Sequence, residues 1–464
     1  MSLNTPADVL AGRLAALSAD QRDKVREAWR DRGDEAVLSS EADAAAEGWL
    51  AAESLPADGN AVGWQPRDEL VVQAGLDRLL ALVHPDVGHP DEARLSRAVM
   101  SELAQRYLRS GYWHSAENIL LLPRRATTKG LRYPAEGPGP LAHTCAVLGE
   151  GAQAVEVIRV PQTHELDDLS RQPWGATDCA VAPLVGAEVL GLDFARRDGH
   201  WTYGPQLQDA ALEPSVLERI LDRADAAGAA ILVLPEYCSS PTQRRRWTEV
   251  LKTRPHGSVR WLLIGSGPER AADQNVATLL SRDTQIILNQ SKVQLFDLPP
   301  GALEDWGCPN IPEEARGQPM TERAHVSHTW TLLECNRGRL AVAVCESLRT
   351  RAISRAITPL AEALPTLLLC PVFSQPPRET CWERSASETW GELGVETLIA
   401  NSLVVAQWQA DGGELDPNVT CAATRPLVDT GKGHTWLVYG IEGHVDVDVI
   451  ESIIHIGTQV PVTR

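Results

Sequence analysis

The chain has 464 residues, 43% of them hydrophobic, and a formal net charge of −19. That length suits two or three domains, or one large domain with an appendage, and the apolar content is enough to bury a core. The acidic balance sets nucleic acid and anionic membrane surfaces aside as partners. No apolar run approaches the roughly 20 residues that span a bilayer. The stretch MSLNTPADVLAGRLAAL has no basic segment ahead of an apolar one and does not read as a secretory signal. Nine cysteines are scattered with no CxxC among them. That is the pattern of reduced thiols in a cytoplasmic protein, not of a disulfide framework or a zinc site.

Residues 1 to about 115 read as helical. Ser18 to Gln21 forms a capping box ahead of Val25 and Trp29. Leu76, Leu79, Leu80 and Val83 make one helical stripe, and Leu95, Val99, Leu103 and Tyr107 another. The acidic, Ala/Gly-rich segment 32–69 between them reads as a loose connection. From about 116 to 175, Pro and Gly clusters in LLLPRRATTKGLRYPAEGPGPLAHTC read as loop or short strand. The division expected is a mainly helical extension over 1–175 and an α/β domain over 176–464.

From 179 onward strands and helices alternate. CAVAPLV is a short apolar strand, and EPSVLERILDRADAAGAA a helix with Leu217, Ile220, Leu221 and Ala224 on one face. ILVLP, WLLIGSG, ATLLS, TQIILNQ, LAVAVC, TLLLCPVF and SLVVAQW read as strands, with SRAITPLAEAL a helix among them.

Three of these strands end in a residue able to do chemistry: ILVLP at Glu236, TQIILNQS at Lys292 and LAVAV at Cys345. In α/β sheets ligands gather beyond the carboxyl ends of strands. A carboxylate, an ammonium and a thiol meeting there suffice for covalent amide hydrolysis. The carboxylate takes the thiol proton, the cation stabilises thiolate and oxyanion, and the acid so formed protonates the leaving amine.

These residues carry a resemblance. ILVLPEY, then Asn275–Leu280 with TQIILNQSKVQLFD, then GRLAVAVCESLR, are similar in kind and order to the motifs of the carbon–nitrogen hydrolase (nitrilase/amidase) superfamily. RETCWERSASETWGELGVETLIANSLVVAQW is similar to a later segment of that family. The resemblance covers about 179–450 and includes Arg349, four residues after Cys345. It implies a four-layer α-β-β-α sandwich that pairs into a homodimer or higher homo-oligomer. It also implies Glu236 as general base, Lys292 as oxyanion stabiliser, Cys345 as nucleophile and the Glu346 backbone N–H in the oxyanion hole. The family's second glutamate corresponds to Glu322, with Glu304 and Glu314 as competitors. Tyr237, Trp382 and Trp306 are expected as pocket walls. The extension and an insertion, LPPGALEDWGCPNIPEEARGQP, depart from the family pattern.

The substrate expected is a small amide, nitrile or carbamoyl compound, with acyl transfer to an amine open on the same thioester. No cofactor is expected. There is no GxxxxGK[ST] loop, and HVSH (His325, His328) lacks partners at zinc spacing. Cys238, Cys370 and Cys381 read as structural thiols, and Arg244–Arg246 as a solvated helix face. Two competing readings are a cysteine protease using His328 or His434, and a non-enzymatic scaffold whose helical extension binds a partner.

Overall fold

The computed structural model describes residues 4–30, 35–52, 54–56, 64–85, 97–116, 118–125, 141–160, 175–183, 190–207, 212–268, 274–348, 365–375, 395–410, 420–427, 435–440 and 454–455, with a few single positions between 363 and 389. Leu95, Arg349, Cys381, His434 and nearly all of SRAITPLAEAL lie outside them. No helix among the described residues is long and apolar enough to cross a membrane.

Five helices open the chain: α1 (Pro6–Ala16), α2 (Ala19–Arg30), α3 (Glu35–Ala52), α4 (Pro66–Ala81) and α5 (Arg97–Ser110). The capping box at α2 is formed, with Gln21 N–H donating to Ser18 Oγ (3.2 Å) and Ser18 N–H to Gln21 Oε1 (2.9 Å). Leu76, Leu79 and Leu80 are fully buried, as their stripe requires. The segment 32–69 is not a loose connection, because it holds the 18 residues of α3 and the first turn of α4. Its alanines are strong helix formers, and Leu38, Ala42 and Ala46 are buried. The Trp49 ring lies against Gly75 of α4, 2.8 Å from where a Cβ would sit, so a small residue there lets the two helices close.

Short strands flank residues 126–140, which lie outside the described set. Strands β1 (His114–Ala116), β2 (Ile119–Pro123) and β3 (Thr144–Leu148) form an antiparallel sheet. After a single turn of helix, α6 (Glu150–Gln153), β4 (Val155–Arg159) follows. The small sheet has two apolar faces, separated by the period-two alternation of strands. Ile119 and Leu121 join a core with α1, α4 and α5, while Leu120, Leu122, Cys145 and Val147 join the large core of the α/β region.

The α/β region is built on two large sheets. β5 (Cys179–Val181), β8 (Ile231–Val233) and β9 (Trp261–Leu263) run parallel. β10 (Val276–Ser281) returns antiparallel and β11 (Ile286–Ser291) reverses again, so β11 points the same way as β8. β20 (Ile454–His455) closes the other edge. The second sheet runs β19 (Thr435–Gly440), β18 (Thr420–Leu427), β17 (Glu396–Asn401), β16 (Leu367–Val372), β15 (Gly338–Val342), β14 (Trp330–Cys335), β4. Its strands β15, β16 and β17 are parallel, and β4 adds in parallel to β14. A third, smaller sheet has the order β12 (Asp297–Leu298), β13 (Met320–Glu322), β7 (His200–Leu207), β6 (Leu190–Arg197).

Alternation assigns the faces. Ile231, Val233, Trp261 and Leu263 share one core with β14 to β17, whereas Leu232 and Leu262 share another with α7 (Pro214–Ala226) and α8 (Pro241–Thr253). Two sheets thus lie face to face with helices on the outer side of one. The insertion packs into the second core through Leu298, Leu303, Trp306, Ile311 and Ala315, with a short helix α9 (Ala302–Asp305). SLVVAQW is not a strand. β17 ends at Asn401, and α10 (Val404–Gln409) follows, burying Val404, Val405 and Trp408.

A buried ionic network locks the extension to the α/β region. Glu334 of β14, fully buried, accepts from Tyr107 Oη of α5 (2.8 Å), from Arg125 and from Arg339 Nε of β15 (2.7 Å). Arg339 also donates to Pro123 O (2.8 Å), and Arg125 to Cys335 O (2.8 Å). Gly111 (φ 79°) passes so close that a Cβ would lie 2.8 Å from that of Glu334.

Candidate active site

Glu236, Lys292 and Cys345 follow the carboxyl ends of β8, β11 and β15, on one edge of the facing sheets. Two of the turns are sharp. Tyr237 (φ 64°) and Cys345 (φ 47°) are left-handed non-glycine residues, a conformation that costs about 1–3 kcal/mol and persists only where the surroundings enforce it. Cys345 opens a 3-10 turn, Cys345–Leu348, and Ser347 Oγ in that turn accepts from Val293 N–H (3.0 Å), tying the thiol's turn to the lysine's. On the glutamate side, Gly265 (φ 73°) passes so near Pro235 O that a Cβ would collide with it.

The charged groups are almost fully withdrawn from solvent. Lys292 Nζ donates to Glu236 Oε1 (2.8 Å) and to Glu322 Oε2 (2.5 Å), and all three side chains are 1% exposed. Asn275 Nδ2 donates to both carboxylates, at 2.8 Å to Glu236 Oε1 and 2.9 Å to Glu322 Oε1. Glu236 Oε2 accepts the Phe373 N–H (3.1 Å). Glu322 is completed by Tyr237 Oη (2.8 Å) and the Phe296 N–H (3.2 Å). Of the three glutamates considered from sequence, Glu322 is the one on Lys292. Glu304 instead accepts the Gly317 N–H (2.6 Å), and Glu314 lies in a separate 3-10 turn, Glu313–Ala315.

Burial pushes the Glu236 carboxyl above its usual range, opposed by Lys292 and reinforced by Glu322. Burial works against the Lys292 charge too, but the two carboxylates outweigh it and hold the ammonium above its usual range. The Cys345 thiol is raised well above the ordinary value by burial and by the Glu236 charge, with Lys292 opposing. Among the described residues the groups bearing most on the sulfur are Glu236, Lys292, Glu322 and Glu346.

Other candidates sit elsewhere. Cys238 Sγ faces the backbone carbonyl of Glu236 (3.7 Å), and burial raises its thiol well above the ordinary range. His325 and His328 are exposed on the segment between β13 and β14. Tyr237 and Trp382 are buried supports: Trp382 Nε1 donates to Ser374 Oγ (2.7 Å). The sequence reading had no role for Asn401. It binds Ser374 through both its amide atoms (3.0 Å each) and so fixes the 373–375 turn that supplies the Phe373 N–H. The only local signal was an amide at a strand end. Phe373 packs on Tyr237 (ring centroids 5.3 Å), Trp408 (5.7 Å) and Trp306 of the insertion (6.3 Å).

The chain is similar to solved amidases of the nitrilase superfamily. One is a mutant of the amidase from Nesterenkonia sp. AN1 that carries the acetamide moiety of fluoroacetamide on its active-site cysteine. It is 17% identical, with 57% of this chain and 86% of that one covered and a TM-score of 0.35. A second structure of that enzyme, the NitN amidase, is 17% identical over 61% of this chain and 95% of its own, with a TM-score of 0.32. No family model and no curated relative matches the chain. Identity this low, with TM-scores under 0.5, leaves the chemistry to this chain's own side chains.

Proposed function

We propose that this chain hydrolyses a non-peptide carbon–nitrogen bond, an amide in the first instance, through a thioester on Cys345. The observation that carries the reading is the buried Glu236–Lys292–Glu322 cluster acting on a thiol presented by a left-handed strand-end turn. Burying three ionised groups is costly unless each is paired, and this arrangement keeps a carboxylate and an ammonium charged beside a neutral thiol.

The steps balance as follows. Glu236 takes the Cys345 proton as sulfur bonds to the substrate carbonyl carbon, leaving a tetrahedral oxyanion. An ammonium has three donors. Two are held by Glu236 and Glu322, and the third serves the oxyanion together with a backbone N–H, for which Glu346 is the candidate. Glu236 then gives its proton to the leaving nitrogen as the C–N bond breaks. Water attacks the thioester, Glu236 accepts its proton, and the proton returns to sulfur as the acid departs. Glu322 keeps Lys292 charged and in place throughout. A cysteine–histidine protease has less support, because the groups bearing most on Cys345 among the described residues are Glu236, Lys292, Glu322 and Glu346.

The test is ammonia release from a panel of primary amides, nitriles and N-carbamoyl compounds, with Cys345→Ala, Glu236→Gln and Lys292→Ala beside the wild type. Turnover that each variant abolishes supports the reading. Full turnover by both Glu236→Gln and Lys292→Ala removes it. Acyl transfer, the same thioester intercepted by an amine, is tested by adding hydroxylamine to the productive reactions.

A further inference from the structure

We propose that Asn275 is a positioning residue that tethers the base Glu236 to the second carboxylate, Glu322, through its single amide nitrogen. This rests on the hydrolase reading above and deepens it. Two glutamates with side chains 1% exposed face one ammonium, so two carboxyl groups compete for a single cation. Like charges this close repel unless a shared donor lies between them. Asn275, 2% exposed, is that donor: one amide hydrogen goes to Glu236 Oε1 and the other to Glu322 Oε1. The amide orientation is fixed by charge, since its oxygen turned toward two carboxylates would be repelled by both.

The backbone of Asn275 is tied to the same site. Its carbonyl accepts the Lys292 N–H (2.9 Å), so one residue sets the height of the lysine and the spacing of both carboxylates. Its hydrogen bond is one of the influences that lower the Glu236 carboxyl against burial. The other titratable groups bearing on Glu236 are Lys292, Glu322, Tyr203 of β7, Tyr237 and Cys238 of its own turn, Cys345, and Cys370 of β16. Of these, Glu322 is the one whose side chain Asn275 also holds.

The substrate-independent probe is iodoacetamide on the full-length protein. Alkylation of the Cys345 peptide is followed by mass spectrometry from acid to neutral pH, because burial raises the Glu236 carboxyl above its usual range. The variants are Asn275→Leu, which removes both hydrogen bonds at similar volume, and Asn275→Ser, whose single hydroxyl hydrogen can serve only one carboxylate. Asn275→Ser carries the test where Asn275→Leu folds poorly. The expected result is an acid limb displaced upward by roughly one pH unit or more in either variant. A packing role alone would change the rate without moving the midpoint. A midpoint unmoved or displaced downward overturns the proposal and leaves the hydrolase reading standing. No alkylation of wild-type Cys345, or an acid limb that survives in Glu236→Gln, overturns that reading and the proposal with it.

Discussion

Replacing Lys292 with methionine removes the only cation that contacts Glu236 and Glu322 among the described residues. Two buried carboxylates then share one amide donor. Breaking a buried ion pair from one side costs about 3–5 kcal/mol, because the remaining charge is left without compensation. The cost should depend on pH, and its sign follows from the Glu236 shift. That carboxyl already lies above its unfolded value, and Lys292 is what opposes the rise. A group with a raised folded pKa destabilises progressively between its unfolded and folded values, at up to about 1.4 kcal/mol per pH unit. In Lys292→Met the loss continues to higher pH than in the wild type. The difference in Tm between the two proteins, from thermal unfolding at an acid and a mildly alkaline pH, should be smaller at the acid end, where protonation relieves the carboxyl in both. A difference that is constant, or largest at the acid end, refutes the claim that these carboxylates are coupled through Lys292.

Cys238→Ala should retain turnover within a few-fold and cost about 1 kcal/mol of stability, since that thiol faces a backbone carbonyl; steady-state kinetics and thermal unfolding check both. Gly265→Ala should lower kcat and Tm together, because a Cβ at φ 73° collides with Pro235 O and displaces the Glu236 turn. Glu334→Gln removes the buried carboxylate that Arg125 and Arg339 both contact and should destabilise by about 3–5 kcal/mol. Unfolding followed by intrinsic fluorescence should show that loss, and a wild-type profile would mean the extension is not held through this network.

The placing of Glu236, Lys292 and Cys345 at one edge was legible because each apolar run stops at a polar residue, and parallel strands put such residues on one edge. Asn275 and Asn401 were not legible as supports. A single amide has no period, and its partners lie 27 to 47 positions away. The run SLVVAQW misled because a short apolar stretch fits a buried helix as well as a strand. The segment 32–69 misled because its alanines were read as loop-like, although small side chains are what let α3 approach α4. The junction between the extension and the α/β region was also hidden. It depends on Arg125 and Glu334, more than 200 positions apart, and on a strand, β4, that joins a sheet otherwise built from residues 330–440.

The central claim is that Cys345 carries the acyl group and that Glu236 and Lys292 put it there. It is tested most directly by acid-quenching the protein during turnover of a productive amide and mapping the added mass by peptide mass spectrometry. The account predicts an acyl increment on the Cys345 peptide of the wild type and none on that of Glu236→Gln or Lys292→Met. An increment on another cysteine, or turnover that survives in Cys345→Ala, would contradict it.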